Sequence, residues 1–135
     1  MHKLLDINIV SFGHKYGPPP ECNLLFDVRF IKNPHYDERL RPQTGLDEDV
    51  QRFFEAEAPA MEFLSLLRGA IRLALTGYLA HGNDHASLTI AFGCTGGKHR
   101  SVYFASQCQA VVREVSREFS LSSRVLCRHR DIGRE

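Results

Sequence analysis

The sequence predicts one α/β domain, a small and mainly parallel sheet flanked by helices. Four apolar, β-branched runs of strand length recur along it. Segments with helical spacing separate the second run from the third and the third from the fourth. Parallel neighbours need such long crossovers, whereas antiparallel ones can be joined by tight turns. At 135 residues the chain has the length of a single domain, enough to bury a core and too little to divide.

Taken in order, LLDINIVSFG (4–13) has the character of a buried strand ending at Gly13. HKYGPPPECN then reads as a loop, because three consecutive prolines cannot continue a strand or helix. LLFDVRF (24–30) is predicted as the second strand, with Asp27 and Arg29 on one face by the two-residue period. The turn-rich NPHYDERLRPQTG follows, and Asp47 is placed to cap a helix through Val50, Phe53 and Phe54. Past Pro59, the spacing of Phe63, Leu67, Ala70 or Ile71, Ala74 and Tyr78 predicts a longer helix ending near HGNDH. SLTIAFG (87–93) is the third strand. Residues 101–119 form a helix with Ala105, Cys108, Val112, Val115 and Phe119 inward, and SRVLCRHR (123–130) closes the sheet.

The net charge of +1 gives no global signature of a nucleic-acid binder. Acid nevertheless gathers in the middle of the chain, and Lys98, Arg100, Arg113, Arg117, Arg124, Arg128 and Arg130 weight the last third toward base, as an anionic ligand or a solvated helix face would require. The four cysteines form no CxxC pair, no signal-like segment opens the chain, and no apolar run is expected to cross a bilayer. These features predict a cytoplasmic protein with reduced thiols and no membrane contact. His81 and His85 flank a Gly-Asn turn that spoils helical ligand geometry, so no metal is expected.

AFGCTGGKHRS (91–101) falls between the carboxyl end of a strand and the amino end of a helix, where open α/β sheets bind ligands. Gly93, Gly96 and Gly97 let the backbone bend closely and turn N–H groups inward, and the helix dipole adds positive charge. Lys98, His99 and Arg100 add donors, Ser101 a hydroxyl, and Arg100 has the fork geometry for two parallel bonds to a phosphate. The spacing is not that of GxxxxGK(S/T), and His99 stands where that motif needs Ser or Thr. Cys94 and Arg100, five residues between them and Ser101 next, instead match the loop of cysteine-dependent phosphatases, with Asp27, Asp37 or Asp131 as candidate general acids.

SFGHKYGPPPE, FDVRFIKNPHYDERLRPQTGLD, GCTGGKHRSV and RHRD, in this order over Ser11 to Asp131, resemble the C-terminal domain of the RapZ (YvcJ) RNase adapter family. Typical members carry a P-loop kinase-like domain ahead of it; this sequence holds no such motif, and a stand-alone domain is the expectation. The resemblance implies a fold similar to a subdomain of phosphofructokinase, a pocket for glucosamine-6-phosphate and, in enterobacterial members, binding of small regulatory RNAs presented to an endoribonuclease. It matches Cys94, Thr95, Gly96, Gly97, His99, Arg100 and Ser101 to the family's anion loop, and Asp27, Arg29, Asn33 and His35 to the motif facing it. RNA-binding members end in a run of Lys and Arg, whereas this chain ends RHRDIGRE.

The leading expectation is a non-catalytic sensor of an amino-sugar phosphate with no cofactor. RNA contact would run through Arg124, Arg128 and Arg130, which alternate along the last strand, and an oligomer of identical chains is compatible with it. Two rivals stay open: a cysteine phosphatase using Cys94 and Arg100, and an RNA-binding module without a small ligand.

Overall fold

The structure, a computed structural model, describes residues 4–81 and 85–134. Its elements run β1 (Leu4–Gly13), β2 (Leu24–Asp27), α1 (Glu48–Glu55), α2 (Ala58–His81), β3 (His85–Cys94), α3 (Arg100–Glu118) and β4 (Ser122–His129), with 3-10 turns at His14–Tyr16 and Pro34–Tyr36. The four strands form one sheet in the order β2-β3-β1-β4, and every pairing is parallel. The α/β expectation holds.

Strand order explains where the helices lie. The steps from β2 to β3 and from β3 to β4 move the same way across the sheet, so crossovers of one hand place α1, α2 and α3 on one face. The step from β1 to β2 moves the opposite way, and its helix-free loop belongs on the other face. Cys22 of that loop duly packs on Val10, Phe12 and Ala91. Opposite it, Leu5, Ile7 and Ile9 of β1 and Leu88, Ile90 and Phe92 of β3 meet the helices in the main core. Phe54 of α1 stacks on Tyr103 of α3 at 4.6 Å, which locks the two helices together. Each such side chain contributes about 1.5–3 kcal/mol on full burial, so this face holds the domain together.

Several boundaries differ from the expectation. β2 ends at Asp27 rather than at residue 30, because Asp27 Oδ1 accepts the Arg29 N–H at 3.1 Å and turns the chain out of the ladder. β4 ends at His129, and the Arg130 side chain folds inward instead of continuing the alternation with Arg124 and Arg128. Asp47 sits at the start of α1, yet its carboxylate accepts the Thr44 N–H at 2.7 Å and does not cap the helix. Tyr78 and Phe119, expected inward, are 38% and 40% exposed. Both lie near helix ends, and the series that is buried in α2 is Leu67, Ile71, Leu75 and Leu79. The predicted stripe of α2 was ambiguous because this helix is apolar on most sides. By length and mean hydropathy it is sufficient to cross a membrane, contrary to expectation, although its inner face is core. The Gly-Asn turn after α2 and the side chain of His85 lie outside the described residues. Among the described residues no group of three His, Cys, Asp or Glu is placed to hold a metal.

Candidate ligand-binding site

Register brings the strand ends together. Gly13 of β1 is level with Cys94 of β3, and Asp27 of β2 is level with Gly93, so three loops leave one edge of the sheet side by side. The loops after β1 and β3 meet backbone to backbone at Gly13, Gly96 and Gly97. A Cβ at Gly13 would stand 2.5 Å from the carbonyl carbon of Gly96, and one at Gly97 would stand 2.6 Å from the Gly13 nitrogen. Gly97 also has φ +69, in the left-handed region where a side chain is strained. The Lys15 N–H then donates to the Thr95 carbonyl at 3.1 Å, carrying Lys15 to the mouth of the β3 loop.

The result is a pocket of about 250 Å³ lined by Lys15, Asn33, His35, Tyr36, Cys94, Thr95, Gly96, Lys98, His99 and Arg100. No carboxylate is among its lining residues. The sequence motif thus converges with Asn33 and His35 as the matching residues suggested, and Asn33 sets the approach of its partner by accepting the His35 N–H at 3.1 Å. Gly97 and Ser101 stand behind the lining as supports. Asp27 and Arg29 do not line the pocket: they bind each other through several hydrogen bonds, with Arg29 Nη2 donating to Asp27 Oδ2 at 2.6 Å. That pairing, first through the hydrogen bond from Arg29, holds the Asp27 carboxyl down at about 2. Sequence reading missed Lys15 and Tyr36. Lys15 was legible once β1 and β3 are neighbours, since its loop must then border the anion loop.

Arg100 is the centre of the site. It is only 6% exposed, and its Nη1 donates to the carbonyls of Arg29 and Ile31 at 2.9 and 3.0 Å. Its Nη2 reaches Thr95 Oγ1 at 3.4 Å. These acceptors are all neutral, and among the described residues no carboxylate pairs with this guanidinium. One of its forks is therefore committed to the backbone, and the Nη2 side faces the pocket; the free two-pronged grip expected from sequence is half used. His99 Nε2 donates to the Leu40 carbonyl at 3.1 Å. Burial lowers the His99 pKa from its ordinary value against that hydrogen bond, so the ring is neutral in the neutral range.

Beneath the loop, the Cys94 thiol and Ser101 Oγ stand 3.1 Å apart, and the Ser101 N–H donates to the sulfur at 3.4 Å. A phosphatase would also need an acid beside the leaving group. None of the candidates lines the pocket: Asp27 is held by Arg29, Asp37 accepts the Arg39 N–H, and Asp131 is buried. Asp131 instead builds the scaffold. Its Oδ2 accepts the Gly13 N–H at 2.7 Å, and Arg130 and Arg134 both pair with it. Burial raises its pKa, but the hydrogen bonds from Arg130 and Gly13 and the two cationic charges together outweigh this and leave it lowered.

Arg130 also donates to Pro18 O at 2.7 Å and lies over the Phe12 ring at 5.3 Å. Arg124 pairs with Asp6 on the open face of the sheet, and Arg128 is exposed there. The three arginines singled out for RNA thus occupy three different settings.

Fold and pocket define a class: a parallel α/β domain with a cation-rich pocket, free of lining carboxylates, at the carboxyl edge of its sheet. Within that class the chain belongs to the RapZ C-terminal domain family, whose model matches residues 5–133. It is 44% identical over 131 residues to a protein of Desulforudis audaxviator named nucleotide-binding protein, an alignment covering 97% of this chain and 42% of the relative. A protein of the same name from Thiobacillus denitrificans is 46% identical over 124 residues, covering 91% of this chain and 41% of the relative. One from Thermobifida fusca is 42% identical over 131 residues, at 97% and 42% coverage. The chain spans about two-fifths of the length of these curated relatives.

Proposed function

We propose that this domain is a non-catalytic sensor that binds a small phosphorylated molecule, an amino-sugar phosphate such as glucosamine-6-phosphate, in the pocket between β1, β3 and the Asn33–Tyr36 turn. The observation that carries the reading is Arg100, a buried cation whose described acceptors are all neutral. Buried charges are stable when paired, and a ligand phosphate supplies the missing counter-charge. Lys15 and Lys98 at the same mouth add to the attraction, and the α3 N-terminus points the same way. His35, Asn33 and Tyr36 supply polar contacts for the sugar hydroxyls, and the choice of an amino sugar rests on the family resemblance.

A volume of about 250 Å³ lies below the ~300–1,000 Å³ of most ligand pockets, which favours a sugar phosphate over a whole nucleotide. The relatives' name refers to chains more than twice as long, and this sequence has no GxxxxGK(S/T) loop. Turnover is not favoured, because no carboxyl lines the pocket to serve the leaving group. RNA contact has less support: of the three arginines, Arg130 is turned inward and Arg124 is paired with Asp6.

Calorimetric titration with glucosamine-6-phosphate, glucose-6-phosphate, inorganic phosphate and ATP tests the reading. Saturable binding that prefers the amino sugar is expected. Equal weak binding of all four reduces the pocket to a general anion site, and preference for ATP overturns the sugar assignment.

A further inference from the structure

β4 is the last strand of the sheet, and among the described residues no strand pairs with its outer side. Its register with β1 runs unbroken from Ser122 to His129, with neither a bulge nor a proline. Its eight residues of extended backbone span about 26 Å. Edges of this length are usually shortened, covered or bulged, because their free N–H and C=O groups template another strand. The opposite edge of the sheet is managed in that way: β2 has four residues and ends in the Asp27–Arg29 clasp.

One hydrogen bond shows which backbone groups are free. The Arg130 N–H donates to the Ser11 carbonyl at 3.0 Å, so the backbone of residue 130 faces β1. Backbone groups of successive residues in a strand point to opposite sides. Those of Arg124, Leu126 and Arg128 therefore face β1, and those of Ser123, Val125 and Cys127 face the open edge. The side chains of Arg124, Leu126 and Arg128 are exposed, while Val125 and Cys127 are half-buried against the core under the helices.

Cations flank this edge on both sides. On the open face Arg124 is shared with Asp6, and Arg128 holds no carboxylate among the described residues. On the helix side Ser116 of α3 hydrogen-bonds Ser123 at 2.9 Å, and Arg113, a turn earlier, acts on Cys127. The Arg113 side chain meets the neutral Gln109 at 3.4 Å. A second β4 paired antiparallel would bring its own Arg124 and Arg128 onto the same seam, and like charges across strands are destabilising. An acidic strand meets no such opposition.

We propose that β4 takes an extended acidic segment of a partner protein as a further strand of the sheet. Acidic side chains of that segment lie over Arg124 and Arg128, and apolar ones cover Val125 and Cys127. Main-chain hydrogen bonds supply the ladder, and the alternating side chains supply the selectivity. RNA fits this edge less well. Outward carbonyls repel phosphate, and no aromatic residue alternates with the arginines of β4 to stack on a base.

The test is a fluorescence-anisotropy titration of a labelled peptide of alternating Glu and Val with the whole chain, at low salt. Saturable binding is expected, weakened about tenfold by Arg113→Gln with Arg128→Gln. Arg72→Gln, on an exposed position of α2, should leave it unchanged. Circular dichroism of each variant is the folding control. Two N-methylated forms of the peptide separate a strand ladder from simple charge attraction. One carries its methyl groups on every Val nitrogen, the other on every Glu nitrogen. Only one set of amides can face β4, so one form should lose binding and the other keep it. Equal binding of both forms overturns the proposal, as does no binding of the parent peptide or an affinity untouched by the arginine variants. Tighter binding of oligouridylate than of the peptide, lost in the same variants, would assign the edge to nucleic acid instead.

Discussion

The segments that follow β3 and β4 leave the same edge of the sheet on either side of β1, and each folds an arginine against backbone carbonyls. They differ in what neutralises the charge. Arg130 has Asp131 beside it, a carboxylate shielded from water and bound also to the Gly13 N–H. Among the described residues, Arg100 has the carbonyls of Arg29 and Ile31 and the hydroxyl of Thr95, and no carboxylate. A cation with its own counterion is a strut, and it holds the β1 loop in place. A buried cation without one, on the function proposed above, is held ready for an anion from outside. Composition alone makes the two segments look alike, as basic ends of strands.

The comparison can be broken at either end. Asp131→Ala should have the largest effect, lowering stability by about 2–3 kcal/mol because it leaves Arg130 and the Gly13 N–H unmatched. Urea unfolding measures this, and a loss under 1 kcal/mol would remove Asp131 from the scaffold. Arg100→Ala should do the reverse, weakening an anionic ligand by about 1.5–3 kcal/mol while changing the unfolding midpoint less than Asp131→Ala does. Calorimetry and unfolding on the same preparation give both numbers. If stability falls and affinity does not, Arg100 is a strut as well.

Gly97→Ala should cost about 1–2 kcal/mol, since the new methyl group meets the Gly13 nitrogen and the left-handed φ penalises it. Loss of ligand affinity should accompany it, because the two loops that shape the pocket are pushed apart. The smallest effect is with pH. His99 and His129 are both held below the ordinary imidazole range by burial. Above about pH 6.5 folded and unfolded chains are both neutral at these rings, and nothing is lost. As pH falls below that, the unfolded chain takes up protons first, so stability declines until the folded-state values are passed. The lowered Asp27 and Asp131 lose their contributions only in stronger acid, below about pH 4. Thermal melts at pH 7, 6 and 5 check the histidine step, and a flat series would show that the two rings are not desolvated.

Much of this molecule was legible in the residues themselves. Period and punctuation located the four strands and the three helices, because side-chain alternation and glycine or proline breaks are local properties. The anion loop was equally visible, for glycines, cations and a helix start are contiguous from residue 93 to 101. Matching the loop and the Asn33–His35 segment to one family also anticipated that they would face each other, which spacing by itself does not say.

What the sequence could not decide depends on partners far along the chain. Arg130 differs from Arg128 because Phe12 and Pro18 lie beneath it, and Asp131 acts on Gly13 across 118 positions. Lys15 reaches the pocket only because β1 and β3 are neighbours in the sheet. Asp27 and Arg29 satisfy each other outside the pocket, so a pair that looked like part of the site is a local clasp. Local pattern determines which segments are strands, helices and turns, since the forces concerned act over a few residues. Whether a given charge is a strut, a clasp or a ligand contact is set by burial and counter-charge, and those exist only once the chain has folded.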